Sequence, residues 1–228
     1  MKKVVFIVLA LVIGVGGLVA YKGYELFKSI AANAVRGSGK ITTETRNVGS
    51  FTSVRISGVG SAVIERTGTP GLSISADDNL LPLITSDVKD GTLSLGFKSG
   101  TIISSASIEY RVTVGDLREV HVSGATGLRA DDLAGSALAV TVSGAGRVRL
   151  SGRIDDLEVD VSGAGSLDAA ALTARHVTVE ASGAGNVSVN ASDTLDAKAS
   201  GAGTVRYVGA PKLTSHVSGA GSIREGRQ

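Results

Sequence analysis

The sequence has no cysteine and no tryptophan, and its 228 residues include only 3 prolines and 4% aromatic residues. Without Cys the chain cannot form a disulfide framework, a thiolate metal site, an iron–sulfur cluster or a cysteine nucleophile. Half of the aromatic side chains lie before residue 28, so few are left elsewhere to stack on bases or sugars. These absences exclude several classes of enzyme and cofactor protein.

Positive charge is scarce outside the N-terminal segment. The formal net charge is +2 at pH 7, and residues 1–40 hold six Lys or Arg against one acid, Glu25, so the remainder is slightly acidic. A slightly acidic domain gains no affinity for nucleic acid from counterion release. The composition therefore predicts no nucleic-acid partner.

An uncharged apolar run extends from Val4 to Tyr21, directly after Lys2 and Lys3. As a helix it would be about 27 Å long, close to the ~30 Å hydrocarbon core of a bilayer. This length favours an uncleaved anchor. The predicted organisation is a short tail at 1–3, a transmembrane signal-anchor helix at 4–21, a helical extension and linker at 22–40, and a β-domain at 41–228.

A cleaved signal peptide is the alternative interpretation of this segment. The small residues Ala32-Asn33-Ala34 fit a cleavage pattern, but they follow the apolar run by about a dozen positions, farther than such sites usually lie. Charge on both sides leaves the orientation open. We expect a single-pass inner-membrane protein with its β-domain in the periplasm, or else a cleaved periplasmic or secreted one.

A short motif, Ser-Gly-x-Gly or a close variant, recurs through the chain. Its seven copies begin at Ser57, Ser123, Ser143, Ser162, Ser182, Ser200 and Ser218. The last six copies follow one another every 18 to 20 residues, and the first gap of 66 residues would hold about three degenerate copies. A fixed period of this length is typical of a solenoid.

Apolar and polar residues alternate before each motif, as Val159, Asp160 and Val161 do before Ser162. The alternation resumes after the motif, for example at Leu167. A period of two indicates strands with one buried face, and the glycines suit the turn between them. Each copy therefore predicts at least two short strands joined at the motif.

Strands repeated at this period pair with the next coil, about 4.8 Å away, and bury a common interior. The predicted fold is all-β: a right-handed parallel β-helix with about 18–20 residues per coil, preceded by one N-terminal hydrophobic helix. The segment 69–113 is the least regular, and we expect strands with longer loops there.

The motif copies, together with Phe51-x-x-Val54-x-Ile56-Ser57-Gly58 and the N-terminal apolar segment, resemble the head GIN domain, a bacterial family of adhesin heads. The resemblance covers about 41–228. It implies a right-handed β-helix of the bacterial cell envelope with no established biochemical activity. The sequence departs from the pattern at Ser123-Gly124-Ala125-Thr126, where Thr126 replaces the last glycine, and this puts the turn geometry of that coil in question.

The glycine-rich turns do not indicate a phosphate or calcium site, because no copy continues into Gly-Lys-Ser/Thr and no Asp lies within a turn. The three histidines do not converge either: His121 and His216 are five copies apart, and His176 has another register. We therefore assign no metal site and no cofactor.

Three pairs of adjacent acids are the candidates for catalysis: Asp77-Asp78, Asp131-Asp132 and Asp155-Asp156. Neighbouring residues of a strand point to opposite faces, so none of the pairs is automatically a catalytic dyad. We assign no catalytic residue. A glycan-processing β-helix enzyme, similar to a polysaccharide lyase or hydrolase, remains the alternative function.

One outward column, formed by Asp160, Glu180, Lys198 and His216, is predicted to be a solvated face rather than a ligand groove. The ligand-binding residues stay unassigned. The sequence thus predicts a non-catalytic, membrane-anchored envelope protein that acts as a binding, adhesion-like or scaffolding module. Its expected partners are the membrane, through the N-terminal helix, and an envelope glycan or protein.

Overall fold

The computed structural model of the protein describes residues 34–226. They form a chain of β-strands and one short 3-10 helix, Leu81–Leu83. The first eight strands are β1 (Val35–Arg36), β2 (Ile41–Arg46), β3 (Ser53–Arg66), β4 (Gly71–Asp77), β5 (Ile84–Lys89), β6 (Thr92–Phe97), β7 (Ile103–Ser105) and β8 (Ile108–Val114). The others are β9 (Glu119–Gly144), β10 (Arg147–Gly163), β11 (Ser166–Gly183), β12 (Asn186–Gly201), β13 (Thr204–Val208), β14 (Lys212–Gly219) and β15 (Ser222–Glu225).

The described residues fall into two units. The smaller unit contains β1 and β7, which pair in parallel. The larger unit comprises 37–99 and 106–226 and contains all the copies of the motif.

The motif copies stack in register, which confirms the all-β solenoid. Ser57 pairs with Ser123, Ser143 with Ser162, and Ser182 with Ser200, always between parallel strands. The strand that leads into each motif and the strand that follows it both pair with their equivalents in the next coil. The right-handed sense of the winding stays a prediction.

The core is a set of columns that run along the solenoid. Val140, Val159 and Val179 form one such column before the motif, and each is at most 1% exposed. Leu128, Val148 and Leu167 form another after it. Small Val, Ala and Leu side chains fill the interior, which explains why so few aromatic residues are needed.

The segment between the first two copies does not hold three degenerate coils, as the sequence suggested. β3 pairs directly with β9, so Ser57 and Ser123 lie in adjacent coils despite the 66 residues between them. On its other side, β3 pairs with β6 and β8. The long gap is therefore an insertion that contributes one further layer.

Antiparallel strands complete this end of the solenoid. β4 pairs antiparallel with β8, β2 with β4, and β5 with β6. The short turn Asp90-Gly91 joins β5 to β6, and both of its residues have positive φ angles, as expected for a tight hairpin. A uniformly parallel helix is thus wrong for the first part of the domain.

The prediction of an N-terminal hydrophobic helix is also wrong for the structure as described, since residues 34–226 contain no α-helix. Within that range no helix is long and apolar enough to cross a membrane, so the described residues give no support to the predicted single-pass inner-membrane location. The predicted anchor at 4–21 itself lies outside the described residues. The predicted domain boundaries stay predictions.

The Thr126 departure from the motif has a clear structural explanation. Its side chain is buried and donates a hydrogen bond from Oγ1 to the carbonyl of Gly58 in the neighbouring coil, at 3.2 Å. The buried hydroxyl therefore has a hydrogen-bond partner within the stack of coils. The turn persists in this coil, where Gly124 keeps the same positive φ as the later copies.

Asp77, one of the candidate catalytic acids, is a structural residue. Its carboxylate is 3% exposed and accepts hydrogen bonds from the backbone N–H groups of Gly39 and Ser107, at 2.7 and 3.2 Å. A Cβ on Gly37 would lie 2.2 Å from its Oδ2, so the chain passes very close to it. Asp77 therefore fixes two loops to the domain.

Changing Asp77 to Asn is expected to reduce the free energy of unfolding by about 1 to 3 kcal/mol, because one buried backbone N–H then faces an amide donor. Asp78→Asn is the matched control: Asp78 is only half-buried and pairs with Ser38 and Lys40 near the surface, so its effect should stay within about 0.5 kcal/mol. Urea unfolding of the full chain measures both. Equal effects would contradict the structural role of Asp77.

Candidate binding grooves

The strands on the two sides of the motif form two outward faces with different charge. The leading face carries the outward side chains of the strands that enter the motif, and the trailing face carries those of the strands that follow it. The leading face is rich in acids: Asp156, Glu158, Asp160, Glu180 and Asp196. The trailing face is rich in arginine: Arg111, Arg129, Arg147, Arg149, Arg206 and Arg224.

The column predicted to be a solvated face lies on the leading face, as its spacing implied. Asp160 pairs in register with Glu180, Glu180 with Lys198, and Lys198 with His216. Lys198 Nζ donates to Glu180 Oε1 at 2.8 Å, and this hydrogen bond raises the pKa of Lys198. The four side chains also border a shallow groove of about 220 Å³.

A larger groove of about 410 Å³ lies farther along the leading face. Its hollow arises because Ala137 and Ala139 stand where the next coil has Asp156 and Glu158. His176 borders the same groove and lies beside Asp156 in register, with its Nδ1 3.0 Å from Thr194 Oγ1. Sequence reasoning missed this grouping because it considered adjacent acids rather than acids two residues apart on one strand.

A third groove, of about 420 Å³, lies on the trailing face around Gly127. Arg129, Arg147 and Arg149 border it. Arg129 Nε forms an ion pair with Asp131, and Arg149 Nε lies 3.5 Å from Asp168 Oδ2. We define the arginine groove as Gly127 with Arg129, Arg147 and Arg149.

Two of the other candidate acids, Asp131 and Asp78, form hydrogen bonds near the surface. Asp131 accepts a hydrogen bond from Ser151 Oγ at 2.8 Å, and this bond, with the Arg129 guanidinium, holds the pKa of Asp131 below its usual range. Ser38 does the same for the pKa of Asp78, followed by a smaller effect of Lys40. These acids remain charged at neutral pH and do not suit a proton donor.

The three histidines lie apart in the structure, as the sequence indicated. His121 is in β9, His176 in β11 and His216 in β14. Within 34–226 no group of three His, Asp or Glu residues could hold a metal ion. Tyr110 is a buried titratable side chain of the core, and burial raises its pKa to about 12.

Comparison with known proteins identifies the family. The model of the family described as "Putative auto-transporter adhesin, head GIN domain" matches residues 50–211, and the chain belongs to this family. No curated protein sequence matches the chain.

Solved structures share the fold. A crystal structure of a putative adhesin from Bacteroides fragilis is 24% identical, with 84% of this chain and all of that chain covered and a TM-score of 0.70. A putative lipid binding protein from Parabacteroides distasonis is 19% identical, with 85% and 100% coverage and a TM-score of 0.59. At these identities the likeness concerns the fold alone.

Proposed function

We propose that the chain is a non-catalytic, adhesin-like binding module that acts outside the cytoplasm, with the β-domain predicted at 41–228 as its rigid body. Its partner is an envelope glycan or protein. The observation that carries the proposal is the division of charge between the leading and trailing faces, each built by strands locked in register across several coils. Faces of this kind present charged groups at a fixed backbone spacing, so binding need not order the backbone.

Membership of the head GIN domain family supports the same function. The proposal also agrees with the shape of the surface, because the grooves are shallow and open rather than deep clefts that would exclude water. Enzymes usually enclose their substrate to strengthen electrostatic interactions.

The alternative, a glycan-processing enzyme, would need a proton donor with a raised pKa beside a second carboxylate. Asp156 and Glu158 have a suitable position on one strand, facing the larger leading groove. The carboxyl groups whose pKa the surroundings shift in the described residues are, however, all shifted downward, at Asp78, Asp131 and Asp193. This favours binding over acid catalysis.

The test is to expose the purified full chain to immobilised envelope glycans and envelope proteins, and to record retention and bond cleavage in the same samples. We expect saturable retention and no new reducing ends or unsaturated products. Cleavage that disappears in the double variant Asp156→Asn, Glu158→Gln, and persists in the surface control Asp193→Asn, would establish the enzyme instead. Absence of retention on every ligand would contradict the binding function.

A further inference from the structure

Gly127 interrupts the outer surface of the trailing face. The equivalent position in the other copies carries a side chain: Ser61, Arg147, Ser166, Asn186, Thr204 and Ser222. Gly127 does not have a left-handed φ, and a Cβ added there would meet no atom within 4 Å. Neither a turn nor a close backbone approach requires this glycine, and its effect is to keep the arginine groove open.

Three guanidinium groups surround the gap. Arg147 pairs in register with Gly127, and Arg149 pairs with Arg129, so the three arginines come from two neighbouring strands about 4.8 Å apart. All three are exposed, and no carboxylate lines the groove. The groove therefore presents three guanidinium groups, one of them without an acid partner in the described residues, on a domain that is slightly acidic as a whole.

Two of these arginines are oriented by acids at the border of the groove. Asp131, itself fixed by Ser151, contacts Arg129 through Nε, and Asp168 approaches Arg149 through Nε. Arg147 has no ion pair within the described residues. Across that same part of the chain, the terminal nitrogens of the three arginines donate no hydrogen bond and remain available to a ligand.

The chemistry of the groove selects its ligand. A guanidinium group binds a phosphate, sulfate or carboxylate through two parallel hydrogen bonds. No aromatic side chain lines the groove, so stacking on neutral sugars cannot supply the affinity. A peptide cannot add as a strand here, because β3 and β10 are paired on both sides.

We propose that the arginine groove binds the oxyanion groups of an anionic glycan, with Arg147 as the main ligand and Arg129 and Arg149 as oriented partners. This inference rests on the proposed binding function and names the partner class for one of its faces. Successive acidic groups of an extended glycan would lie along the trailing face, toward Arg206 and Arg224.

Isothermal titration calorimetry of the full chain tests the site with four probes: a sulfated heparin oligosaccharide, an oligogalacturonate, a neutral dextran oligosaccharide and a polyglutamate peptide. Titrations at roughly physiological ionic strength screen charges beyond about 8 Å. We expect one or both anionic glycans to bind, with the preferred one showing whether sulfate or carboxylate is recognised. Neutral dextran binding as tightly, or polyglutamate binding more tightly, would overturn the proposal.

Two variants separate a shaped site from diffuse charge. Arg147→Gln removes the main ligand and should weaken binding about tenfold. Gly127→Thr fills the gap at unchanged net charge and should weaken binding to a similar extent. Thr204 occupies the equivalent position in a later coil, which indicates that the fold accepts threonine there. Arg153→Gln, an equal charge change at an exposed arginine of the same strand, should change affinity less than about twofold.

The results also separate a failure of the arginine groove from a failure of the proposed binding function. If all variants bind as the wild type does, or if Arg153→Gln weakens binding as much as Arg147→Gln, the arginine groove is not the site. Retention on envelope ligands would then still support the binding function. Thermal unfolding of each variant confirms that a loss of affinity does not arise from a loss of fold.

Discussion

Replacing Gly183 with alanine is expected to lower the free energy of unfolding by about 3 kcal/mol or more. Gly183 has a φ of +94°, a conformation that costs an L-residue roughly 1 to 2 kcal/mol. The new Cβ would also lie 2.5 Å from the carbonyl oxygen of Gly163 in the neighbouring coil. That oxygen accepts a hydrogen bond from Ala184 N at 2.8 Å, so relieving the contact would weaken the bond, at about 1 kcal/mol.

The same arrangement recurs along the solenoid, which prevents easy relaxation. The first glycine of each later motif has a φ between +91° and +96°, and its added Cβ would approach the carbonyl of the glycine one coil before it: Gly144, Gly163, Gly201 and Gly219. Moving one coil to relieve its clash would create a clash with the next coil. The glycines thus form a ladder that sets how closely the coils approach.

Gly127→Ala is the matched control for this prediction. Gly127 has neither a left-handed φ nor a neighbour within 4 Å of an added Cβ, so alanine should leave stability unchanged or raise it by about 0.4 to 1 kcal/mol through the unfolded state. Chemical denaturation of both variants gives the comparison. If Gly183→Ala lost no more stability than Gly127→Ala, the inferred close contact between the coils at Gly183 would be wrong.

The sequence was sufficient to predict the repeating part of the fold because every copy keeps the same spacing between its buried positions and its motif. Aligning the copies on Ser is equivalent to stacking the coils, and the structure pairs Ser162 with Ser182 as the alignment does. The alternation before and after the motif then determines which side chains point inward.

The first part of the domain could not be predicted in the same way. Antiparallel pairs such as β4 with β8 depend on contacts between segments more than 30 residues apart, and these leave no periodic signal. The role of Asp77 depends on loops that the chain brings together from residues 39 and 107. An adjacent pair of acids gave no indication that one of them is buried.

The arginine groove could be predicted from the sequence, but only from the outward columns that follow the motif. Aligning the positions four and six residues after each Ser would have placed Gly127 beside Arg147 and Arg129 beside Arg149. The charged column before the motif, where Asp160 and Glu180 lie, gives no information about these positions. Functional side chains of a solenoid are most easily found when every outward column is read.

Replacing Val161 with aspartate is expected to have the second large effect, a loss of several kcal/mol in the free energy of unfolding at neutral pH. Val161 is fully buried and lies between Val142 and Ala181 of the neighbouring coils. An aspartate there would lose the apolar contacts and place a carboxylate among side chains that cannot pair with it. Partial unfolding of the solenoid at 37 °C would agree with this expectation.

The pH dependence of the Val161→Asp variant shows whether a buried carboxylate causes its loss of stability. Burial would raise the pKa of the new carboxyl above its unfolded value of about 4, so the folded state holds a proton that the unfolded state releases. The loss of stability should therefore be full at neutral pH and shrink as the pH falls through that raised pKa. Asp160→Val, the reverse exchange at the exposed neighbouring position, should change stability by only about 0.5 kcal/mol. Because a slip of one residue exchanges the two faces of a strand, a larger loss for Asp160→Val than for Val161→Asp would show that the register is inverted.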